Sequence, residues 1–307
     1  MEKKPLVCIL MSTYNGQKYI KEQLESLLVQ IGINVRIIIR DDGSSDDTVK
    51  ILKEYANAHS NIIIIEGENR GTIESFNLLC RYALQNESAE YYAFCDQDDV
   101  WDSDKLQVAI CKLREFDNNK PSLYFSNLRM VDSKLNYIRD LFSPGDVLTE
   151  RSKTLVQTSN YGCTCVFNRA ALTCYCKPLQ QISLHDRWLY CVCSYLGNVY
   201  YDQKGHIQYR QHENNASGAH LKGFTLLLLR IRRLLKGNYG HEFENVALQL
   251  LLFQKELTMA DLKRIKQVAN YRNEVMSKIT LFFSSSYKTG NLMKDVCIRY
   301  RILFNSL

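Results

Sequence analysis

A chain of 307 residues is long enough for one large α/β domain with an appendage, or for two modest domains, and it can bury a substantial core. With 46% hydrophobic and 23% charged residues it lies outside the disordered range. The formal charge of +6 is uneven, because Met1 to Gly218 carries 24 Lys and Arg against 27 Asp and Glu while Ala219 to Leu307 carries 15 against 6; no nucleic acid is expected on the main body, and the basic tail suits anionic lipid or another polyanion.

In chain order, Leu6 to Met11 reads as a buried strand, and Tyr19 to Gln30, with Ile20, Leu24, Leu27 and Leu28 at helical spacing, as an amphipathic helix. Val35 to Ile39 is β-branched and ends in Asp41, Asp42 and Gly43. Ser45, Asp46 and Asp47 are the expected cap of a helix that runs to about His59, followed by a strand over Ile62 to Ile65. Glu74 to Leu84 is helical, Tyr91 to Cys95 a strand, and Ser103 the expected cap of a helix to Phe116. This βα alternation predicts a mostly parallel sheet covered on both faces, with ligands at the carboxyl ends of its strands. From Pro121 the pattern is mixed, with strand-like Leu123 to Phe125 and Thr164 to Phe167. Beyond Gly223 it turns helical, over Leu226 to Leu235, Val246 to Leu257 and Leu262 to Met276. A boundary is expected near Ala219: residues 1–218 form the main body, divided into a regularly alternating half (1–117) and a mixed half (118–218), and 219–307 a basic helical appendage.

The N-terminal MEKKPLVCILMS has neither the apolar stretch nor the cleavage site of a signal peptide, so eleven cysteines point to a reducing, cytosolic setting. Three Cys-x-Cys pairs, Cys163/Cys165, Cys174/Cys176 and Cys191/Cys193, are spaced too tightly for the usual zinc site and read as small buried hydrophobes. No run approaches the roughly 18 apolar residues that span a bilayer; Phe224 to Leu229 is cut short by Arg230, Arg232 and Arg233.

The most informative stretch is YYAFCDQDDVW, Tyr91 to Trp101, where a buried strand delivers Asp96, Asp98 and Asp99 onto one loop. Carboxylates so close repel one another, and a cation relieves that repulsion; oxygen ligands select Mg or Mn. A solvated acidic turn is the alternative. Ser12, Thr13, Tyr14 and Asn15 follow the first strand and suit either a nucleotide pocket or a simple turn and helix cap. Neither a Gly-x-Gly-x-x-Gly fingerprint nor a Walker-type loop is present, which disfavours dehydrogenases and P-loop NTPases. Capping accounts for Asp46 but not for Asp42.

Together, LVCILMSTYNG, IIIRDDGSSDDT, ENRGTIESFN and FCDQDDVW resemble the nucleotide-binding half of family 2 glycosyltransferases, inverting enzymes of the GT-A fold. YGCTCVFNR, LHDRWL and YRQHENNASG resemble its rhamnosyltransferase-like branch, so the likeness extends over Leu6 to Gly218. It implies an α/β, Rossmann-like nucleotide-binding sheet with a mixed acceptor-side half. Ser12 and Asp42 would lie by nucleobase and ribose, with Thr13 and Tyr14 as pocket wall and Arg70 and Asn77 toward the diphosphate or base. Asp96 and Asp98 would form the Asp-x-Asp element around Gln97, a donor-side residue, with Asp98 on Mn2+ or Mg2+. His212 would help to hold metal or diphosphate, and Asp186 would be the general base. Glu213, where the branch usually has a small residue, is a departure.

The resemblance further implies a nucleotide-diphosphate sugar donor, dTDP-L-rhamnose or a UDP-hexose, and a glycan or lipid-linked glycan acceptor of bacterial surface polysaccharide. Contact with the cytoplasmic face of the membrane would run through the basic helices, where Arg230, Arg232, Arg233 and Lys236 interrupt an apolar stretch; a solvated basic face is the alternative. Several residues keep two readings: His185 as structural or functional, Asp186 as base or ion-pair partner of Arg187, Trp188, Tyr161 and Tyr209 as sugar platforms or core, and Arg210 as diphosphate ligand or partner of a surface acid. A sugar-nucleotide-forming nucleotidyltransferase would need a Gly-rich basic loop after the first strand, which LMSTYNG lacks. A non-catalytic binding module would lack Asp96, Asp98 or Asp186, all of which are present.

Overall fold

A computed structural model describes residues 4–147, 149–156, 159–177, 184–212, 242–288 and 292–305. Two compact units account for the chain, one of Met1–Asp146 with Asn160–Arg210, the other of Val147–Ser159 with Gln211–Leu307.

The first unit opens with β1 (Leu6–Thr13), α1 (Ile20–Leu28), β2 (Asn34–Asp41), α2 (Thr48–Ala58), β3 (Ile62–Glu66), α3 (Thr72–Asn86) and β4 (Tyr91–Cys95). These strands are parallel neighbours, with Met11 opposite both Ile39 and Cys95 and Thr13 opposite Asp41, so the carboxyl ends of β1, β2 and β4 come out at one edge. Val7 to Met11, Ile37 to Ile39 and Tyr92 to Cys95 are fully buried. A parallel sheet covered on both faces needs such continuous apolar runs rather than an alternating pattern. After β5 (Val100–Trp101) and α4 (Lys105–Leu113) the sheet gains β6 (Ser122–Ser126), and then β7 (Arg129–Val131) and β8 (Tyr137–Asp140) follow. A single turn of helix, α5 (Arg151–Thr154), belongs to the second unit. The chain returns through β9 (Val166–Asn168), α6 (Arg169–Tyr175), α7 (His185–Leu196), β10 (Asn198–Asp202) and β11 (Ile207–Arg210). The large sheet has the order β10-β6-β9-β4-β1-β2-β3, with β9 antiparallel to both β4 and β6, and the small one β5-β11-β7-β8. The mixed half begins where β9 enters.

Two expected caps act differently. Asp46, not Ser45 or Asp47, accepts the Thr48 amide at 3.0 Å to start α2, and the Ser45 amide donates to Asn15 instead. Helix α4 begins after Asp104 rather than Ser103, and Asp104 makes no side-chain cap bond because its carboxylate faces His206.

The second unit is helical: α8 (Glu242–Leu250), α9 (Met259–Asn270), α10 (Val275–Phe283) and α11 (Leu292–Leu303) bury Phe243, Val246, Leu250, Ile265, Val268, Leu281 and Ile302. The helix expected over Val246 to Leu257 tightens into a 3₁₀ turn at Leu251–Phe253. The one expected over Leu262 to Met276 starts earlier, at the side-chain cap of Thr258, and breaks in two where the amides of Asn273 and Glu274 both close onto the Asn270 carbonyl. The expected helix Leu226 to Leu235 lies outside the described residues. Among those residues no helix is long and apolar enough to cross a membrane.

Candidate active site

At the end of β1 the side chains are already engaged. Ser12 donates to the Ser75 hydroxyl at 2.8 Å, and Thr13 to Asp41 at 2.9 Å. Tyr14, 48% exposed, is gripped through its backbone, because its amide donates to Gln97 Oε1 at 2.9 Å and its carbonyl accepts from Gln97 Nε2 at 3.0 Å. A Cβ on Gly16 would stand 2.3 Å from that Gln97 oxygen, so glycine is what lets the amide clamp close. Gln97 thus joins the loop after β1 to the loop after β4.

Asp42 is buried and in contact with the Arg40 guanidinium; it accepts the Arg70 amide at 3.0 Å and the Gly71 amide at 2.8 Å. Burial works against its charge, but the bonds from Arg40 and the two amides outweigh it and hold the carboxyl below the usual range. Arg70 contributes that amide while its residue as a whole is exposed. Asn77 lies deeper, 4% exposed, and its Oδ1 accepts from the Tyr175 hydroxyl at 2.5 Å.

Strand β4 ends in the acidic loop. Asp96 and Asp98 are half-buried, Asp99 is fully buried, and carboxylate oxygens of Asp96 and Asp99 lie with Cys163 Sγ within 4.8 Å of one another. Burial, then the charges of Asp98 and Asp186, push Asp96 up to about 7. Asp99 is pushed well up by burial and by Asp98 and Asp96, and its Oδ2 has no hydrogen-bond partner. Crowded carboxyls with an orphaned buried oxygen are what a divalent cation would relieve, so these residues fit a metal. Asp186, in the first turn of α7, accepts the Arg187 amide at 2.7 Å. Its carbonyl accepts from Asn160 Nδ2 at 2.8 Å, in the segment whose Cys165 carbonyl accepts the Phe94 amide of β4, and its charge is felt at Asp96, at Tyr161 and at Cys165.

Some candidates belong to the core. Trp188 is fully buried and donates its indole N–H to the Tyr175 carbonyl at 2.9 Å. His185 is stacked on Phe76 at 4.1 Å and edge-on to Phe94 at 5.0 Å, with no hydrogen-bond partner on either ring nitrogen. Burial lowers its pKa against the pull of Asp186, leaving a neutral core imidazole. Tyr161 and Tyr209 meet edge to face at 6.0 Å, and Tyr161 meets Phe142 likewise at 6.1 Å, an aromatic wall in the field of Asp186. His212, half-buried just past β11, belongs to the second unit, and Glu213 lies outside the described residues.

One residue escaped sequence reasoning and another has a role beyond its two expected readings. Arg210, 1% exposed, donates Nε to the Asp98 carbonyl at 3.0 Å, Nη1 to the Ser133 carbonyl at 2.9 Å and its amide to Asp99 at 3.1 Å, and pairs with Glu22. It holds the acidic loop's backbone from behind rather than pairing only with a surface acid. Lys105 is fully buried with Nζ 3.3 Å from the Trp101 ring centre and no hydrogen-bond partner; burial lowers it to about 8, while neighbouring cysteines and Asp99 pull the other way. Lys105 is the residue that sequence reasoning missed, and the signal was its place on the buried face of α4 with Leu106, Ala109, Ile110 and Leu113.

A mostly parallel sheet with an antiparallel strand beside β4 and an acidic loop at the carboxyl end of β4 has the architecture of the GT-A fold. S. aureus TarS residues 1–349, solved in complex with UDP-GlcNAc, superposes with a TM-score of 0.55 at 16% identity, over 97% of this chain and 90% of that one. The mannosyltransferase PcManGT of Pyrobaculum calidifontis, solved with GDP-Man and Mn2+, gives 0.53 at 16% identity, over 100% and 89%. The family model for glycosyl transferase family 2 matches residues 8–176. Among curated proteins, the dTDP-rhamnosyl transferase RfbG of Shigella flexneri is 32% identical over 229 residues, 69% of this chain and 74% of that protein. The chain belongs to glycosyl transferase family 2, and it is a glycosyltransferase.

Proposed function

We propose that the chain is an inverting transferase that moves L-rhamnose from dTDP-L-rhamnose onto a glycan or lipid-linked glycan of a bacterial surface polysaccharide, at the cytoplasmic face of the membrane. The observation that supports the catalytic part is the turn Asn160 to Cys165, which accepts the Phe94 amide of β4 at 3.3 Å, sets Cys163 Sγ with the carboxylate oxygens of Asp96 and Asp99, and donates from Asn160 to the Asp186 carbonyl at 2.8 Å: one short segment joins the acidic loop to the separate acid on α7. The rhamnosyl part is supported by the likeness to RfbG; a UDP-hexose is the competing donor.

On this reading Asp98, with Asp96 beside it, would hold Mn2+ or Mg2+, which when bound supplies positive charge to the departing diphosphate. Exposed Tyr14 and Arg70 meet the donor, while Ser12, Thr13, Asp42, Asn77 and Gln97 build the floor and the loop clamp beneath it. Asp186 takes the proton from the acceptor hydroxyl as the new bond forms, a contribution of about 100- to 10,000-fold. One base attacking from the side opposite the leaving diphosphate gives inversion.

Docking on an anionic membrane is supported by the second unit. Residues 219–307 carry 15 basic against 6 acidic side chains; α10 exposes Val275, Met276, Ile279 and Phe283, and α11 exposes Leu292, Val296 and Leu303. Apolar stripes among basic residues suit the headgroup boundary. Sedimentation with phosphatidylglycerol vesicles should carry the protein down and lose Ile279→Glu/Phe283→Glu; equal sedimentation of both proteins would refute the surface.

The donor test is a thermal-shift panel of dTDP-rhamnose and UDP-hexoses with and without Mn2+. A ligand at 100 times its Kd adds about 2.7 kcal/mol to native stability. dTDP-rhamnose with Mn2+ should give the largest rise; a larger rise with a UDP-hexose would replace the donor, and none with any nucleotide sugar would remove the reading.

A further inference from the structure

Asn160 to Cys165, which carries Tyr161 of the aromatic wall and Cys163 beside Asp96 and Asp99, is bonded both to β4 and to the start of α7. It is a rigid turn: the Thr164 amide and hydroxyl donate to the Tyr161 carbonyl at 2.9 and 2.8 Å, and the Cys165 amide donates to the Gly162 carbonyl at 2.9 Å. The Cys165 carbonyl accepts the Phe94 amide at 3.3 Å, which fastens the turn to β4 two residues before Asp96. On its other side it holds the start of α7. Asn160, 6% exposed, donates Nδ2 to the Asp186 carbonyl at 2.8 Å. Gly162 lies against His185 so closely that a Cβ would stand 2.6 Å from Nε2, and that imidazole is pinned between Phe76 and Phe94 and cannot yield freely. Between these two anchorages, buried Cys163 places its Sγ among the carboxylate oxygens of Asp96 and Asp99.

We propose that the Asn160–Cys165 turn sets the register between the proton acceptor Asp186 and the acidic loop, with Asn160, Gly162 and Cys163 as positioning residues of the transfer reaction. The inference rests on the reading of Asp186 as the base. Its physical content is that one short segment is bonded to the backbone on both sides of the reaction. A shift of its middle therefore moves one carboxyl group relative to the others without touching the donor pocket at Ser12, Tyr14 and Asp42. Proximity effects of this kind are steep, since a displacement of about 1 Å can cost about 100-fold in rate.

Gly162→Ala supplies the displacement. Transfer kcat should fall about 100-fold, while the affinity for Mn2+ and nucleotide, read by calorimetry, stays within about twofold. His185→Ala makes room for the added methyl group, so Gly162→Ala/His185→Ala should recover at least about tenfold of that loss, a non-additivity expected only of residues in contact. Asn160→Leu should lower kcat with donor affinity kept. Cys163→Ser, which keeps a small donor between the two acids, should retain more transfer than Cys163→Ala. The inference is overturned if Gly162→Ala transfers within about twofold of wild type, if it loses donor affinity as much as rate, or if the double variant is no faster than Gly162→Ala. Should Gly162→Ala not fold, Asn160→Leu with unchanged kcat, or Cys163→Ser no better than Cys163→Ala, overturns it equally. Asp186→Asn separates the two levels: full transfer by that variant removes the base assignment, whereas an inactive Asp186→Asn beside a fully active Gly162→Ala removes the register alone.

Discussion

Two acidic clusters stand close together in the first unit, and they are built on opposite electrostatic plans. Asp102, Asp104 and Asp202 surround buried His206, whose Nδ1 is 3.1 Å from Asp104 and whose Nε2 is 3.6 Å from Asp202. Arg129 pairs with Asp102, and the Tyr124 hydroxyl and the Lys204 amide donate to Asp202 at 2.9 Å each. Burial works to raise Asp202, but the His206 imidazole 3.6 Å away and those two donors outweigh it and carry the carboxyl below the usual range. Asp96 and Asp99, by contrast, are pushed up, with Lys105 as a buried cation that makes no hydrogen bond and Arg210 spent on carbonyls and Glu22. Either cluster offers three groups of metal-ligating type within 4.8 Å. The count of acids therefore does not mark the site; the shortage of matched partners does.

The sharpest way to break this contrast is to remove one acid from each role. Asp186→Asn should lower transfer by about 100- to 10,000-fold with donor affinity kept, as read by steady-state rates and nucleotide titration. Asp98→Ala should abolish the Mn2+-dependent part of donor binding in a thermal-shift assay, and Asp102→Asn, in the balanced cluster, should leave it intact. If Asp102→Asn and Asp98→Ala lose Mn2+-dependent binding alike, the two clusters are not different in kind.

A third acid sharpens the comparison from the stability side. Asp42 is paired with Arg40 at side-chain exposures of 3% and 5%, so Asp42→Ala leaves a buried guanidinium without its carboxylate. Breaking such a pair costs about 3–5 kcal/mol, which a urea-denaturation midpoint would register. Asp98→Ala removes one of several mutually repelling charges and should shift that midpoint little. A comparable loss in both variants would mean that the acidic loop is held together by Asp98 as tightly as the loop after β2 is held by Asp42.

The βα alternation from β1 to α4 was legible because each element is long enough to show a period, and the loops after β1, β2 and β4 were correctly singled out as the ones at the sheet's edge. What escaped is what depends on distant chain. Strands β5, β7, β8 and β11 have two to four residues and exist through their pairing, with no periodicity of their own. Arg210 meets Glu22 across 188 positions and the Asp98 carbonyl across 112, separations at which no local pattern operates. The three Cys-x-Cys pairs were read as small hydrophobes, a fair description of buried Cys165, Cys191 and Cys193. Cys163 was not distinguishable from them until the turn placed it against Asp96.

The smallest effect is a pH dependence that should run in opposite directions at the two clusters. The Asp202 carboxylate 3.6 Å from Nε2, and after it the hydrogen bond with Asp104 at 3.1 Å, raise His206 above its ordinary value of 6.5 despite burial. The folded state therefore favours the protonated ring, and its contribution is complete below pH 6.5 and fades as pH rises through the raised value. Asp202 sets the acid limit: held low, it contributes above about 3.8 and loses that contribution as pH falls further. Charge-assisted hydrogen bonds are worth about 1.5–3 kcal/mol. His206→Gln should thus cost no more than about that at pH 6 and measurably less at pH 8, in paired denaturation curves. At the other cluster Asp96, raised to about 7, gives up its proton over the same interval. Mn2+ needs deprotonated ligands, so its calorimetric affinity should strengthen from pH 6 to pH 8 while the His206 contribution declines. Parallel trends in the two measurements would place both clusters in one titrating network and remove the distinction between a balanced and an unbalanced set of acids.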